Sequence, residues 1–217
     1  MEFTNQEVMF LLSVSRGRVP FGIKIKMPKE TERENYVKET IKSLAGKGIL
    51  DEEEHLTQEG ADIIFFFEQY RNSKRHITLN DIKAAIMPEG RMIAVTPLKE
   101  GYDISCISPE LLMTGVLHQF EYLRKGEESP VRGKWQDLDV KQWQERIDEM
   151  EGNILLREYE NGKRISERIY CWKEKEGYLL NLTGKRIRSL SPGVMRRQIY
   201  GILGGGSYGG ENNGMQS

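Results

Sequence analysis

The stretch NILLREYENGKRISERIYCW, residues 153–172, carries the strongest fold signal in the 217-residue chain. Two β-prone segments flank Asn161 and Gly162, and both residues tolerate the positive φ that a two-residue hairpin turn requires. The segment KEGYLLNL, residues 175–182, follows with another strand-like pattern. This region therefore predicts an antiparallel meander.

Residues 76–108 show a weaker form of the same pattern, with HITLND, RMIAVTPL and YDISCIS separated by turn signals. In both regions a Ser-Pro pair then predicts the start of a helix, at Ser108-Pro109 and at Ser191-Pro192. The tetrapeptide Lys-Glu-Gly-Tyr also occurs in both, at 99–102 and 175–178. We interpret it as one turn used twice, in which Gly turns the chain and Tyr begins the next strand, so that it marks a duplicated unit.

The N-terminal third is predicted to be helical. Thr4 and Glu7 have the spacing of a capping box, and a second box is predicted at residues 31–34. A third helix is predicted over TQEGADIIFFFEQYRNSK, residues 57–74, with Ala61, Ile64, Phe65 and Glu68 roughly aligned. Residues 66 and 67, both Phe, widen its apolar side and suggest burial between two layers. GILDEEEHLT, residues 48–57, predicts a short hairpin between the second and third helices.

The predicted fold class is α+β, with a central, mostly antiparallel sheet, flanking helices and an internal pseudo-twofold duplication. A helical region over 1–74 precedes a first meander-and-helix half over 75–125. A connection with an amphipathic helix spans 126–151, and the second half spans 152–203. The Gly-rich tail, residues 204–217, is predicted to be disordered.

Composition excludes several classes of function. Lys and Arg number 32 against 33 Asp and Glu, so the whole protein has no net attraction for nucleic acid or an anionic membrane. No apolar stretch approaches the roughly 20 residues needed to span a bilayer. The N-terminus lacks the basic region of a signal peptide, so we expect a cytoplasmic protein.

No catalytic or cofactor motif is recognisable. Cys106 and Cys171 are too few for a disulfide framework or a zinc site, and the three histidines lack metal-ligand spacing. The Gly-Lys pair at 46–47 lacks the frame of a phosphate-binding loop. We therefore expect no enzyme activity, no metal and no cofactor.

One alternative is a winged-helix DNA-binding regulator, because IKSLAGKGILDEEEHLTQEG, residues 41–60, has the helix, hairpin and helix rhythm of such proteins. The acidic residues 51–54 argue against it, since they would place four negative charges against DNA phosphates. Binding to nucleic acid is accordingly not expected.

The order of the segments resembles a known family. FTNQEVMFLL, VPFGIKIKMP, YVKETIKSLAGKGIL and LTQEGADIIFFFEQY precede the two meander-and-helix halves. This order is similar to that of the EspG-type chaperones of type VII secretion, and more closely to the EsaE-like proteins of Gram-positive secretion clusters. The resemblance implies a cytosolic, non-enzymatic adaptor that binds a helical secretion substrate and delivers it to the membrane secretion ATPase, without inserting into the membrane itself.

The second half holds a basic cluster: Lys163, Arg164, Arg168, Lys185, Arg186, Arg188, Arg196 and Arg197. It is interpretable either as a solvated sheet edge and helix face or as a docking surface for an acidic partner. An exposed turn beside a basic helix offers reachable backbone, an aromatic anchor and charge steering. The predicted partner-binding residues are Tyr159, Asn161, Gly162, Lys163, Arg196 and Arg197.

Overall fold

The computed structural model describes residues 1–15, 18–25, 33–127, 132–137 and 139–204. They form an α+β fold, as predicted, in which helices cover both faces of one antiparallel sheet. The helices are α1 (Asn5–Val14), α2 (Arg33–Gly46), α3 (Gln58–Asn72), α4 (Pro109–Gln119), α5 (Glu121–Lys125), α6 (Val140–Ile147) and α7 (Pro192–Ile202). The strands are β1 (Glu2–Thr4), β2 (Arg75–Leu79), β3 (Ile82–Ile86), β4 (Met92–Leu98), β5 (Gly101–Ile107), β6 (Gln136–Asp137), β7 (Gly152–Glu160), β8 (Lys163–Lys173), β9 (Glu176–Asn181) and β10 (Arg186–Ser189).

The sheet consists of two meanders joined edge to edge. Its strand order is β1-β5-β4-β3-β2-β7-β8-β9-β10-β6, so β2 of the first meander pairs with β7 of the second. A short strand closes each outer edge: β1 pairs with β5, and β6 pairs with β10. This order is symmetric about the pair formed by β2 and β7. A duplication of the chain stays a prediction.

Three apolar clusters hold the layers together. On one face of the sheet, α4, α5 and α7 pack over both meanders around Met113, Leu123 and Met195. On the opposite face, α1, α2 and α3 cover the first meander, and α6 covers the second through Trp143. The sheet is therefore the middle layer of three.

The predicted N-terminal capping box is confirmed. The Thr4 N–H donates to Glu7 Oε2 at 2.6 Å, and the Glu7 N–H donates to Thr4 Oγ1 at 3.2 Å. Glu7 also accepts from Lys47 Nζ at 2.7 Å and from the Ser43 hydroxyl at 2.8 Å. Burial alone would raise the pKa of Glu7, but these hydrogen bonds outweigh it and the pKa is lowered. The carboxylate thus ties α1 to α2.

The predicted third helix exists, and its buried face agrees with the prediction at Phe67 but not at Ala61 and Phe65, which are exposed. Thr57 caps α3 as expected, and the buried side chains include Ile63, Phe67 and Tyr70, whereas Phe65 is 54% exposed. The reason is the contact at Gly60, where an added Cβ would lie 2.3 Å from the Ile49 carbonyl oxygen. This close approach fixes which side of α3 faces the core.

The short hairpin predicted between α2 and α3 is present as an antiparallel bridge between Leu50 and Leu56. The second predicted capping box begins at residues 31 and 32, outside the described residues, as does the predicted disordered tail from residue 205 onward.

Four strands were not predicted from the sequence: β1, β3, β6 and β10, of which β6 has only two residues. β3 follows β2 after a tight turn in which Asn80 has φ 50°, and its Ala84 and Ala85 give little β signal although both are buried. β10 lies in the segment between the last predicted strand and α7, and β1 has only three residues. Long-range pairing stabilises these strands more than their local sequence does.

The interpretation of Lys-Glu-Gly-Tyr as the same turn used twice is wrong. In the first copy, Leu98 pairs with Gly101, so residues 99–100 form the turn. In the second copy, Lys173 pairs with Glu176, so residues 174–175 form it. The copies are out of register by one residue and occupy non-equivalent hairpins, β4–β5 and β8–β9. The two meanders do share a helix that begins at a Ser-Pro pair after the fourth strand. In the first meander α4 follows β5, and in the second α7 follows β10.

Candidate functional site

The predicted hairpin forms as expected and is anchored on one side. Asn161 and Gly162 have φ of 49° and 76°, and the Asn161 N–H donates to the Lys74 carbonyl at 2.8 Å. The Tyr159 ring lies against Phe21, with centroids 4.7 Å apart. Asn161 and Tyr159 therefore hold the hairpin against the N-terminal region, residues 1–74, whereas Lys163 is exposed.

Arg196 has an internal role. It lies half-buried on α7, where its guanidinium donates to the Leu123 carbonyl and, at 3.0 Å, to the Gly126 carbonyl. Both carbonyls belong to the end of α5, so Arg196 fastens α5 to α7. The neighbouring Arg197 is also half-buried.

The structure does not bring the predicted residues into one patch. Arg196 contacts α5, whose Tyr122 stacks on Trp172 near one end of β8, whereas Lys163 begins the other end. Nine residues separate Trp172 from Lys163, which at about 3.3 Å per residue corresponds to roughly 30 Å. The hairpin and the α7 arginines are thus two separate surfaces, and partner contact by either stays a prediction.

Several members of the basic cluster are occupied within the protein. Arg164 pairs with Glu167 at 2.8 Å, and Arg168 pairs with Glu158 at 3.4 Å. The Arg188 guanidinium lies 4.3 Å from the centre of the Trp135 ring. These contacts favour a structural role for much of the cluster.

A cleft that sequence reasoning missed lies beside α5. It has a volume of about 920 Å³ and is bounded by α5, the β8–β9 turn, the start of β9 and the first residues of α7. We call it the α5 cleft. Three separate chain segments meet there, residues 121–127, 174–178 and 189–192. The second Lys-Glu-Gly-Tyr lies in one of them, so that repeat and the neighbouring Ser191-Pro192 were the available sequence signals.

The floor of the α5 cleft is aromatic and closely packed. The Tyr122 ring stacks on Trp172, with centroids 5.2 Å apart and planes 2° from parallel. An added Cβ on Gly177 would lie 2.5 Å from the Tyr122 hydroxyl and 2.7 Å from the Leu190 carbonyl oxygen. Gly177 therefore lets β9 come close to α5.

The Tyr122 hydroxyl is buried and has no hydrogen-bond partner among the described residues. Burial, reinforced by Cys171, Glu176 and Tyr178, raises its pKa to about 12. Tyr122 therefore stays neutral at physiological pH and contributes an apolar ring to the floor.

The rim of the α5 cleft is acidic. Glu121, Glu127, Glu174 and Glu176 contribute four carboxylates, and Lys125 and Lys175 contribute two ammonium groups, which leaves a net charge of −2. Lys125 pairs with Glu121, and the Tyr178 hydroxyl donates to Glu176. The cleft thus combines an apolar floor with negative charge at its opening.

A smaller cavity of about 320 Å³ lies across β10, where Trp143, Ile187 and Arg188 contribute to its lining. Tyr178 and Ser189 line both cavities. In the described part of the chain, no group of three or more His, Cys, Asp or Glu side chains is placed to hold a metal ion. Over the same residues, no helix combines the length and apolar character needed to cross a bilayer.

Comparison with known proteins identifies the family of this chain and a solved structure with a similar fold. A family described as a domain of unknown function, DUF5081, matches residues 1–204. The chain belongs to the DUF5081 family. No curated protein sequence matches this DUF5081 chain.

One solved structure similar to this DUF5081 protein is the Mycobacterium tuberculosis type VII secretion system chaperone EspG5, in complex with the PE25-PPE41 dimer. The similarity covers 97% of this chain and 98% of that chain, with a TM-score of 0.56 and 8% sequence identity. At this identity the likeness establishes a shared fold and transfers no contact residue. It agrees with the EspG-type architecture that the order of segments implied.

Proposed function

We propose that this DUF5081 protein is a cytosolic, non-enzymatic chaperone that binds a helical type VII secretion substrate and delivers it to the membrane secretion ATPase. The observation that supports the proposal is the end-to-end likeness to EspG5, whose solved structure holds a PE25-PPE41 dimer. The likeness extends over nearly the full length of both chains, so it concerns the whole three-layer arrangement.

The hairpin offers a physically reasonable contact for such a substrate. Ile165, near the start of β8, is 51% exposed, and Lys163 and Arg164 lie beside it in sequence. An exposed aliphatic side chain with adjacent cations combines apolar contact with charge steering. We propose Tyr159, Asn161, Gly162 and Lys163 as one contact surface, with Arg197 on α7 as a separate one.

Arg196 requires separate treatment, because its loss would also release α5. A charge reversal at Arg196 would therefore mix structural damage with loss of binding. Lys163→Glu and Arg197→Glu are cleaner tests of the two proposed surfaces.

The proposed function is tested by affinity purification of the tagged full-length protein from its native cells. The bound proteins are identified by mass spectrometry and compared with those recovered through an unrelated tagged protein. We expect enrichment of a helical secretion substrate, with or without the secretion ATPase. Recovery of neither would contradict the proposal.

The winged-helix alternative gains no support from the described residues. Helices α2 and α3 pack with α1 over the sheet through Leu44, Ile63 and Phe67, so these side chains belong to the core of the larger fold. The acidic turn at residues 51–54 is exposed between α2 and α3. Sequence-specific retention of DNA in a gel shift at moderate salt would favour the DNA-binding regulator over the chaperone.

A further inference from the structure

The α5 cleft is held open by contacts that do not depend on a ligand. Arg196 fixes the carbonyls at the end of α5, and Gly126 packs so closely on Pro192 that an added Cβ would lie 2.3 Å from its ring. On the other wall, the Leu190 N–H donates to the Gly177 carbonyl at 2.8 Å. The walls are therefore formed by packed backbone, and the cleft is preformed.

Its size and composition fit a short peptide. Binding sites for small ligands are mostly apolar clefts of about 300–1,000 Å³ with a few well-placed polar groups. The α5 cleft, at about 920 Å³, lies at the upper end of that range. Tyr122, Leu190 and Pro192 provide apolar surface for one inserted side chain.

The charge of the rim selects among such peptides. Glu127 and Glu174 are exposed at the opening, where a cationic side chain can approach them while an apolar neighbour enters the cleft. Carboxylates attract Lys and Arg and repel acidic segments, and this effect weakens with salt. An acidic or purely apolar occupant would leave the rim charge uncompensated.

We propose that the α5 cleft binds an extended segment of the secretion substrate in which an apolar side chain is followed by Lys or Arg. The assignment of the segment to the substrate rests on the proposed function. The preference for an apolar residue next to a basic one rests on the cleft alone. The cleft is thus a further contact beside the two proposed above, about the length of β8 away from the hairpin.

The test uses the full-length protein and three fluorescein-labelled hexapeptides, followed by fluorescence polarisation. The probe is Gly-Leu-Arg-Leu-Lys-Gly, and its matched controls are Gly-Leu-Glu-Leu-Glu-Gly and Gly-Ser-Arg-Ser-Lys-Gly. We expect the probe to bind at least tenfold more tightly than either control and to weaken as salt rises. Equal affinity for the acidic control would overturn the proposal.

Paired variants locate the binding. Glu127→Lys with Glu174→Lys reverses two exposed charges at the rim, and Glu52→Lys with Glu100→Lys makes the same charge change on exposed residues elsewhere. We expect the rim variant to lose at least tenfold in probe affinity and the matched variant to stay within twofold of the wild type. Thermal unfolding of both variants verifies that they fold, and equal losses in the two would overturn the proposal.

The same variants separate the cleft from the proposed function. If the rim variant still recovers the substrate at wild-type yield, the cleft proposal is overturned and the proposed chaperone function is unaffected. If the wild-type protein binds the probe at the rim but recovers no substrate, the proposed chaperone function is overturned. The preference of the cleft for an apolar residue next to a basic one is then still supported. A concentration-dependent dimer in sedimentation that only the rim variant abolishes, without probe binding, would assign the cleft to a second copy and overturn the proposal.

Discussion

The two Lys-Glu-Gly-Tyr segments have one sequence and two different roles. In the first, Gly101 lies in β5 beside its paired strand β1, and Tyr102 is buried, with its hydroxyl hydrogen-bonded to the backbone of Lys24. In the second, Gly177 lies under the α5 cleft and Tyr178 lines that cleft. Position relative to the turn and to neighbouring layers decides the role, so a repeated tetrapeptide alone does not identify equivalent sites.

The glycines should show the largest difference. Gly101 has φ 151°, and an added Cβ would lie 2.0 Å from the Phe3 carbonyl oxygen. Backbone strain and overpacking together lead us to expect that Gly101→Ala lowers the free energy of unfolding by about 4 kcal/mol. Gly177→Ala should lower the free energy of unfolding by about 2 kcal/mol, because only some of the atoms that an added Cβ would meet belong to the backbone. Urea unfolding measures both.

Two comparisons sharpen that prediction. Gly115→Ala, in open space on α4, should be neutral or stabilising, and a loss equal to that of Gly101→Ala would contradict the packing explanation. Tyr122→Phe should cost little alone, because it removes a hydroxyl with no partner among the described residues. In that background, Gly177→Ala should cost less than in the wild type, and strict additivity would refute the contact between them.

The tyrosines should differ by a smaller amount. The Lys24 N–H donates to the Tyr102 hydroxyl at 2.8 Å, and that hydroxyl donates back to the Lys24 carbonyl at 3.2 Å. Tyr102→Phe leaves both backbone groups without this partner, so we expect a loss of about 1–2 kcal/mol. Tyr178→Phe should cost about 0.5 kcal/mol or less, because its bond to Glu176 is exposed. Urea unfolding of the two variants side by side tests the ordering, and equal losses would contradict it.

Acid should loosen the region around His76 slightly before the second half. His76 is buried between Phe21 and Tyr70, and its Nε2 lies 2.9 Å from the Tyr70 carbonyl oxygen. Burial lowers the pKa of His76, although the hydrogen bond to Tyr70 opposes the shift.

As pH falls below about 6.5, His76 becomes protonated in the unfolded chain but stays neutral in the folded state. The free energy of unfolding therefore decreases. Hydrogen exchange should therefore rise around residues 18–25 and 75–79 between pH 7 and 5. His76→Gln should remove this dependence, and an unchanged pH profile in that variant would exclude His76 as its source.

Local signals predicted those parts of the fold that local chemistry determines. The Asn161-Gly162 turn and the Thr4 cap are set by backbone angles and by hydrogen bonds within four residues. β1 could not be predicted, because Phe3 pairs with Tyr102 about a hundred positions later. The role of Gly177 was misread for the same reason, since Tyr122 and Leu190, which require it, lie elsewhere in the chain.

The candidate site was harder to predict than the fold. The exposed hairpin followed from turn chemistry, but the internal role of Arg196 depends on carbonyls of α5 that no local pattern places beside it. The α5 cleft combines three chain segments whose meeting depends on the whole sheet. At the candidate site, residue type indicated which side chains are charged and exposed. Tertiary packing determined which of those charges are free of contacts within the protein and can meet a partner.

The seam between β2 and β7 has a consequence for synthesis of the chain. Beyond the strand pairs themselves, the Asn80 N–H donates to the Leu155 carbonyl and the Leu155 N–H donates to Asn80 Oδ1, both at 2.8 Å. These residues are 75 positions apart. At about 5–20 residues per second, the ribosome needs roughly 4–15 s to make the partner of β2. During that interval the inner edge of the first meander, which includes Ile77 and Leu79, lacks its native neighbour, and a nascent chain is most exposed there to pairing with the wrong strand.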